Sequence, residues 1–543
     1  MTIMTGGAAL VKTLANNGVD TVFGLPGVQA DHVFDALYHQ RDSMRVITSR
    51  HEQGAAYMAY GYAQSSARLG AYVVVPGPGL LNTATPLCIA HSSNAPVLAI
   101  TPQIATQYAG RGLGVLHEIP NTASMFAPIT KHQGFADHPT RIPQVLNECV
   151  RQAMSGRRGA VLFEVPEDMT ALRADVALEG AAGREAEPRP DPDLIAQAAA
   201  LLGAAQRPAL FVGGGACEAG DAVRELAEAL EAPVIMTRHG LGVLSERHAL
   251  AQTTLGGHVL WPDVDVVLVI GSRFLEAETW GIDSHLKVIR IDADATQATR
   301  PFNADVRIVG DARATVTALY NALGPNNRKR VSRRDELSAV NRGALAKFAA
   351  LEPQKAWSDA MRAALPDDAL AVCDVTQLAF YMRMGFPVYS PRSLIFSGYQ
   401  DSLGYGYATA LGVKVAHPDR AVVCVTGDGG FLFTMPEMAS AVKHGINLVT
   451  VLFNDNAFGN VRRIQKMQYG ERYIGCDLSN PDFMKLADSF GVQGMRVTDP
   501  KQLGAAMQKA LGAGAPVLIE IPVGPMPAWQ PLMPRTRARN PVA

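Results

Sequence analysis

The sequence predicts an α/β fold of three doubly wound parallel-sheet domains, and three observations predict it. At 543 residues the chain is longer than one hydrophobic core sustains, which points to several domains. Short apolar runs of strand length alternate with helical periodicity along the whole chain. Several of those runs end in glycine-rich turns, the pattern of parallel strands whose carboxyl ends face a ligand.

The first unit, residues 1–175, holds five such runs. Thr21-Val22-Phe23 leads into Gly24-Leu25-Pro26-Gly27, and Arg45-Val46-Ile47 leads into Arg50-His51-Glu52. Ala71 to Val75 leads into Pro76-Gly77-Pro78-Gly79, and Val97 to Thr101 and Ala160 to Val165 complete the set. Ala181 to Leu194, rich in Glu, Arg, Pro and Asp, reads as a linker. The second unit, residues 190–325, has strands at Ala209 to Val212, Pro233 to Met236, Val266 to Ile270 and Val288 to Ile291. Gly213-Gly214-Gly215 follows the first of these, but Glu218 stands where a dinucleotide fingerprint needs glycine, so a tight turn is expected. The basic run from Asn326 to Arg334 reads as a solvated connector rather than a nucleic-acid patch. The third unit, residues 350–535, contains a strand from Val422 to Thr426 and a second from Leu448 to Phe453. Between them lies a helical segment carrying Met435, Met438, Ala441 and Val442. The Arg-rich tail after Met533 is left unassigned.

Composition narrows the function classes. With 48% hydrophobic and 18% charged residues, the chain has the make-up of an ordinary globular protein. A formal net charge of -1 supplies no field to draw nucleic acid or an anionic membrane. No run reaches about 18 consecutive apolar residues, so no membrane span is expected. The start, MTIMTGGAALVKTL, lacks the basic region and apolar run of a signal peptide. Six cysteines without a CxxC pair, several in apolar segments, read as reduced thiols of a cytoplasmic protein.

The chemistry sits in the third unit. Its first strand breaks at Gly427-Asp428-Gly429-Gly430, and its second at Asn454-Asp455-Asn456-Ala457-Phe458-Gly459. In a parallel βαβ unit both turns emerge at the same sheet edge. The glycines let the backbone approach a ligand closely, and N–H groups opening the next helix suit a phosphate. Asp428 and Asp455 offer hard oxygen ligands at the two tips. Mg²⁺ takes one or two carboxylates, completed by carbonyls, water and substrate phosphates. The turns therefore predict a diphosphate held through a divalent metal. GDG alone is a common tight turn; GDG followed by a strand ending in NDN is far more specific.

This segment resembles the thiamine-diphosphate binding motif of the superfamily of acetolactate synthase, benzoylformate decarboxylase and benzaldehyde lyase. The resemblance implies that Asp428, Asp455 and the carbonyl of Ala457 bind Mg²⁺. Gly427, Gly429, Gly430, Phe458 and Gly459 would then shape the pocket. Asp455 stands where the family usually has Asn, which adds a negative charge. The three units become pyrimidine-binding, central Rossmann-like and diphosphate-binding domains.

The run from Arg50 to Ala56, followed by Gly61-Tyr62-Ala63, is similar to the family's HEQ-type segment. The resemblance implies that Glu52 hydrogen-bonds N1′ of the aminopyrimidine and favours the tautomer that deprotonates the thiazolium carbon. It also implies that Glu52 comes from one subunit and the diphosphate pocket from another, making a homodimer or homotetramer the active unit. Gly27, Gly77, Gly79 and Asn82 match turns on the pyrimidine side, with Pro76 where many relatives carry serine. Ser397, Tyr399, Asp401 and Leu403 fall on the other face of the coenzyme, Leu403 as the apolar prop that bends it. Asp401 replaces a family glycine and adds a carboxylate beside the pyrimidine.

The implied substrate is a 2-oxo acid or related carbonyl compound. Candidate acids and bases are Gln29, His32, His117 and Tyr399. Gln29 and Pro26 align with histidines of benzaldehyde lyase, so that enzyme's pattern is missing. His117 falls where acetolactate synthases have a glutamine lining the site, whereas His32, beside Val33 and Phe34, reads as structural. The likeness to the acetolactate synthase large subunit includes Phe23 to Gly27, Pro128 to His132 and Gly271 to Phe274. After Phe274 those synthases continue with residues associated with FAD; here Leu275-Glu276-Ala277 follows, and Ile464 replaces a tryptophan. The leading expectation is a 2-oxo acid decarboxylase or carboligase, with FAD as the cofactor whose residues depart most. A lyase on 2-hydroxyacyl or diketone substrates is one alternative. A catalytically silent coenzyme-binding subunit is another, and the presence of Glu52, Asp428 and Asp455 speaks against it.

Overall fold

The computed structural model describes residues 2–274, 280–300 and 304–532. Three six-stranded parallel sheets form its frame. In spatial order the first sheet runs Arg45–Thr48, Thr21–Gly24, Gly70–Val73, Val97–Gln103, Val161–Pro166, His132–Phe135. The third sheet repeats that order with Leu394–Ile395, Leu370–Cys373, Val422–Gly427, Val449–Asn454, Val517–Pro522, Gln493–Arg496. The central sheet runs Ala251–Gln252, Val234–Met236, Pro208–Val212, Val266–Ile270, Lys287–Asp292, Val306–Val309, the doubly wound dinucleotide-fold order. A two-stranded antiparallel strap, Thr2–Thr5 with Arg173–Val176, ties the ends of the first unit together.

The first and third sheets turn back at their far edge, where the last two strands swap order, and every sheet reverses its winding beside its first strand in chain order. The reversals fall between Thr21–Gly24 and Gly70–Val73, between Pro208–Val212 and Val266–Ile270, and between Leu370–Cys373 and Val422–Gly427. At a reversal the connections from adjacent carboxyl ends leave to opposite faces, which opens a crevice. Every glycine-rich turn singled out in the sequence lies at one of these three places.

The strands are covered by helices on both faces, so they read as unbroken apolar runs rather than alternating ones. Their observed limits differ from the expected ones by a residue or two. Three expectations change more. The linker ends early, because Asp191 caps a helix, Pro192–Ala204, by accepting the Asp193 N–H at 2.9 Å. The basic run is docked rather than free. Arg330 donates to the carbonyls of Leu202, Gly203 and Ala205 at 2.7, 3.0 and 2.9 Å, at the carboxyl end of that helix. The crossover helix is two pieces, Asp428–Thr434 and Met438–Lys443, parted at the 3₁₀ turn Met435–Glu437 that carries Pro436.

First and third units meet where helix Glu52–Ser66 crosses helix Gly406–Ala416. Both are buried almost all round, which explains why neither shows an amphipathic stripe. Their backbones touch: a Cβ at Gly61 would strike the Thr409 carbonyl, and one at Gly412 the Met58 carbonyl. All six cysteines are free. Among the described residues no helix is long and apolar enough to cross a membrane. Leu275-Glu276-Ala277 and the tail after Met533 lie outside the described residues.

Candidate active site

The third reversal opens into a cavity of about 170 Å³ between the ends of Leu370–Cys373, Val422–Gly427 and Val449–Asn454. Gly427 to Gly430, Asp455, Ala457 to Gly459 and Leu403 line it. Two helices start at its wall, Asp428–Thr434 and Gly459–Gln468. Their unpaired N–H groups and positive dipole ends make the floor a natural seat for an anion. Glycine is dictated by neighbours here: a Cβ at Gly429 would come within 2.6 Å of the Phe458 ring, and one at Gly430 within 2.9 Å of the Asp374 carboxyl. Gly459 makes room in the same way for the Asp455 carboxyl.

Asp428 is 2% exposed, and Asp455 is half-buried beside it. Burial raises both carboxyls; Asp455 is pushed up to about 6, first by burial and then by the charge of Asp428. The Asn480 amide bridges the two tips, donating to Asp428 Oδ2 at 2.6 Å, Asn454 Oδ1 at 3.0 Å and Asn456 Oδ1 at 3.3 Å. Asn480 Oδ1 is buried without a partner. Two desolvated carboxylates this close repel, and a cation between them is the neutralising partner they lack. Among the described residues no third Asp, Glu, His or Cys joins them. A hard cation would therefore complete its shell from carbonyl and ligand oxygens, which suits Mg²⁺ with a diphosphate and fits the residues present.

The loop before Gly404 borders the same cavity. Leu403 lines it, and Ser397 is buried with its hydroxyl on Asp401 Oδ1 at 3.3 Å. Asp401 adopts the left-handed backbone region, φ 41, which glycine would enter without strain. Its carboxylate receives Arg383 at 2.7 Å and Arg238 at 3.4 Å, so the extra charge is paired with two guanidiniums. Tyr399 faces elsewhere: Arg238 and Arg273 lie over its ring at 5.5 and 4.6 Å, and it lines a second cleft.

The first reversal gathers another group. Glu52 opens helix Glu52–Ser66, where the N-cap His51 accepts the Gln53 N–H at 3.1 Å. Its carboxylate accepts Asn82 Nδ2 at 3.0 Å and lies over Gly79. Gly27 fits against Val75, and Gly77, with φ 60, fits against the His117 carbonyl. His117 itself has φ 67, and its Nδ1 lies 2.8 Å from Gln29 Oε1, while Gln29 Nε2 donates to the Leu116 carbonyl at 3.2 Å. His32 is exposed on its helix. None of these residues lines the Asp428 cavity of the same chain.

The second cleft, about 230 Å³, opens at the central reversal and is bordered by Gly213 to Gly215, Gly271 to Arg273, Arg157 and Asp292. Sequence reasoning missed Asn480 and the pair Arg238 and Arg383. The one local signal was Asn480-Pro481, a turn just before helix Phe483–Ser489.

Three doubly wound units, with paired acids and two helix N-termini at one carboxyl-edge crevice, define an α/β enzyme class that grips a diphosphate-bearing coenzyme. Comparison with known proteins gives the family. Residues 4–125 match the N-terminal, 195–319 the central, and 374–521 the C-terminal binding domain of thiamine pyrophosphate enzymes. A probable acetolactate synthase large subunit of Methanococcus aeolicus is 31% identical, over 99% of this chain and 95% of its own. A probable 2-ketoarginine decarboxylase of Pseudomonas aeruginosa is 33% identical, over 95% and 94%. Acetolactate synthase isozyme 1 large subunit of Escherichia coli is 29% identical, over 98% and 96%. The chain belongs to the thiamine pyrophosphate enzyme family and is a thiamine-diphosphate-dependent enzyme.

Proposed function

We propose that the chain is a Mg²⁺-assisted 2-oxo acid decarboxylase or carboligase whose active sites each join two copies of the chain. The observation that carries this is the pairing of Asp428 with Asp455 across adjacent strand ends, with Asn480 tying Asp428 to Asn454 and Asn456 on either side of Asp455. The relatives' names span acetolactate synthesis and 2-ketoarginine decarboxylation, so the reading stops at the 2-oxo acid class. Flavin forms no part of it: the purified protein is expected to be colourless, and a flavin absorption spectrum would correct that. The free cysteines support a reducing, cytoplasmic compartment.

Asp428, Asp455 and the Ala457 carbonyl would hold the metal, and the two helix N-termini the phosphates. Thiamine diphosphate, when bound, supplies a nucleophilic carbon that attacks the 2-oxo group and holds the electron pair released with CO₂. Leu403, which lines the cavity, would give it an apolar wall. Glu52, oriented by Asn82, would exchange a proton with the coenzyme's aminopyrimidine. Gln29, by holding His117 Nδ1, would aim the other ring nitrogen of His117 at the substrate side. Glu52 lies outside the cavity lined by Leu403 and Asp428 in one chain, which supports a site completed by a homodimeric or homotetrameric partner.

Mixing two inactive variants tests this directly. Glu52→Gln and Asp428→Ala, refolded or exchanged together, should regain about one quarter of wild-type turnover, because half the sites in a mixed dimer are intact. No recovery in verified mixed dimers would place the whole site in one chain. No CO₂ release from any member of a 2-oxo acid panel would overturn the reaction class.

A further inference from the structure

Glu437 is a carboxylate 1% exposed that none of the chemistry above uses. Its oxygens accept the Arg50 N–H at 3.0 and 3.1 Å, the His51 N–H at 3.1 Å and the Ser440 hydroxyl at 2.6 Å. Arg50 and His51 are the two residues that deliver the chain into Glu52 and its helix. A carboxylate at that helix entrance is favoured by the dipole and by the unpaired N–H groups. Gly54 completes the seat, because a Cβ there would collide with the Glu437 carboxyl.

The same seam continues along the strand before the turn. Thr48 donates its N–H to His444 Nε2 at 3.0 Å, Lys443 Nζ reaches Thr48 Oγ1 at 2.9 Å, and Arg45 donates to the His444 carbonyl at 2.8 Å. The strand and turn that carry Glu52 therefore hang on residues 437–444 of the third unit. That segment begins at the diphosphate turn: helix Asp428–Thr434 runs directly into the turn Met435–Glu437. Helix Asp428–Thr434 and the 3₁₀ turn that follows it connect the Asp428 tip to the backbone before Glu52.

We propose that Glu437 is a positioning residue for Glu52, fixing the backbone at Arg50 and His51 and tying it to the Asp428 turn of the same chain. The proposal rests on the thiamine-diphosphate reading and deepens it. If each site joins two chains, this helix and turn link the diphosphate end of one site to Glu52 of the other.

The test compares wild type with Glu437→Ala, Glu437→Asp and Glu437→Gln. Gln keeps an oxygen for both amides, Asp falls one methylene short, and Ala removes the acceptor. In cofactor-free protein, amide exchange followed by mass spectrometry should speed up at 50–54 by about tenfold or more in Ala, less in Asp and not in Gln. The strand Val161–Pro166 should exchange as in wild type in all three. In loaded enzyme, kcat should fall about a hundredfold in Ala with the KM for thiamine diphosphate little changed, and Gln should restore most of it. Unchanged exchange at 50–54, or equal kcat losses in Ala and Gln, would overturn the proposal. If Ala does not fold, Asp carries the same comparison. Faster exchange in a protein that binds no thiamine diphosphate would support the clamp and overturn the cofactor reading.

Discussion

Asn480→Ala isolates the polar bridge between the two carboxylate tips. The side chain gives up contacts to Asp428 Oδ2 at 2.6 Å, Asn454 Oδ1 at 3.0 Å and Asn456 Oδ1 at 3.3 Å. The shortest goes to a charged group, for which about 1.5–3 kcal/mol is typical; the two longer ones add less. Overall stability should fall by about 2 kcal/mol, because water can reach the turn at Asn456, which is exposed. The larger effect is on the metal. Losing a group that orients a ligand costs about 10–100-fold in metal affinity, and on the proposed reading Asp428 would be the ligand oriented. Titrating Mg²⁺ into the metal-free variant at saturating thiamine diphosphate, with activity as readout, should show the midpoint raised by about that factor. At saturating Mg²⁺, kcat should return to within about threefold of wild type. A wild-type Mg²⁺ midpoint would refute the bridging role. A kcat loss that Mg²⁺ does not restore would move Asn480 from metal positioning to substrate contact.

Other predictions follow from single contacts. Asp401→Gly relieves a left-handed aspartate at φ 41 but strands Arg383, whose side chain is 9% exposed; a net loss of about 1–2 kcal/mol is expected in urea unfolding. Asp401→Asn, which tolerates that backbone, should lose less; a stabilised Gly variant would show that the pairs contribute nothing. Gly412→Ala drives a Cβ into the Met58 carbonyl and should cost about 2–3 kcal/mol in the transition that includes first and third units. Wild-type stability there would mean the two helices separate freely. Asp374, 1% exposed, is pushed up by burial from the ordinary carboxylate range to about 6. The folded chain thus holds a proton the unfolded chain has lost, so its contribution, up to about 3 kcal/mol, is present near pH 4 and gone above pH 6. Asp374→Asn should flatten that part of the stability–pH curve, and an unchanged slope would contradict it.

The fold was legible because each unit repeats one local pattern, an apolar strand of about five residues ending in a glycine-rich turn. The Asp428 and Asp455 turns were legible for a further reason: both carboxylates sit at strand ends joined by one crossover, so chain order alone brings them together. Partners from distant segments carried no such signal. Asn480 reaches Asp428 from beyond the next helix, and Arg238 comes to Asp401 from the central unit. Glu437 carries no local signal, and only the fold sets it under Arg50. Arg330, in a run that resembled a solvated connector, caps a helix whose end is near only in space. The left-handed backbone at Asp401 also escaped, since aspartate hides what glycine would have announced.

On the proposed reading, Asp428 and Asp455 would grip thiamine diphosphate through a divalent metal. Calorimetric titration of metal-free protein with thiamine diphosphate, with Mg²⁺ and then with a chelator, tests it most directly. Tight binding that needs Mg²⁺ and disappears in Asp428→Ala is the predicted result. Binding of equal strength in the chelator, or undiminished in that variant, would contradict it.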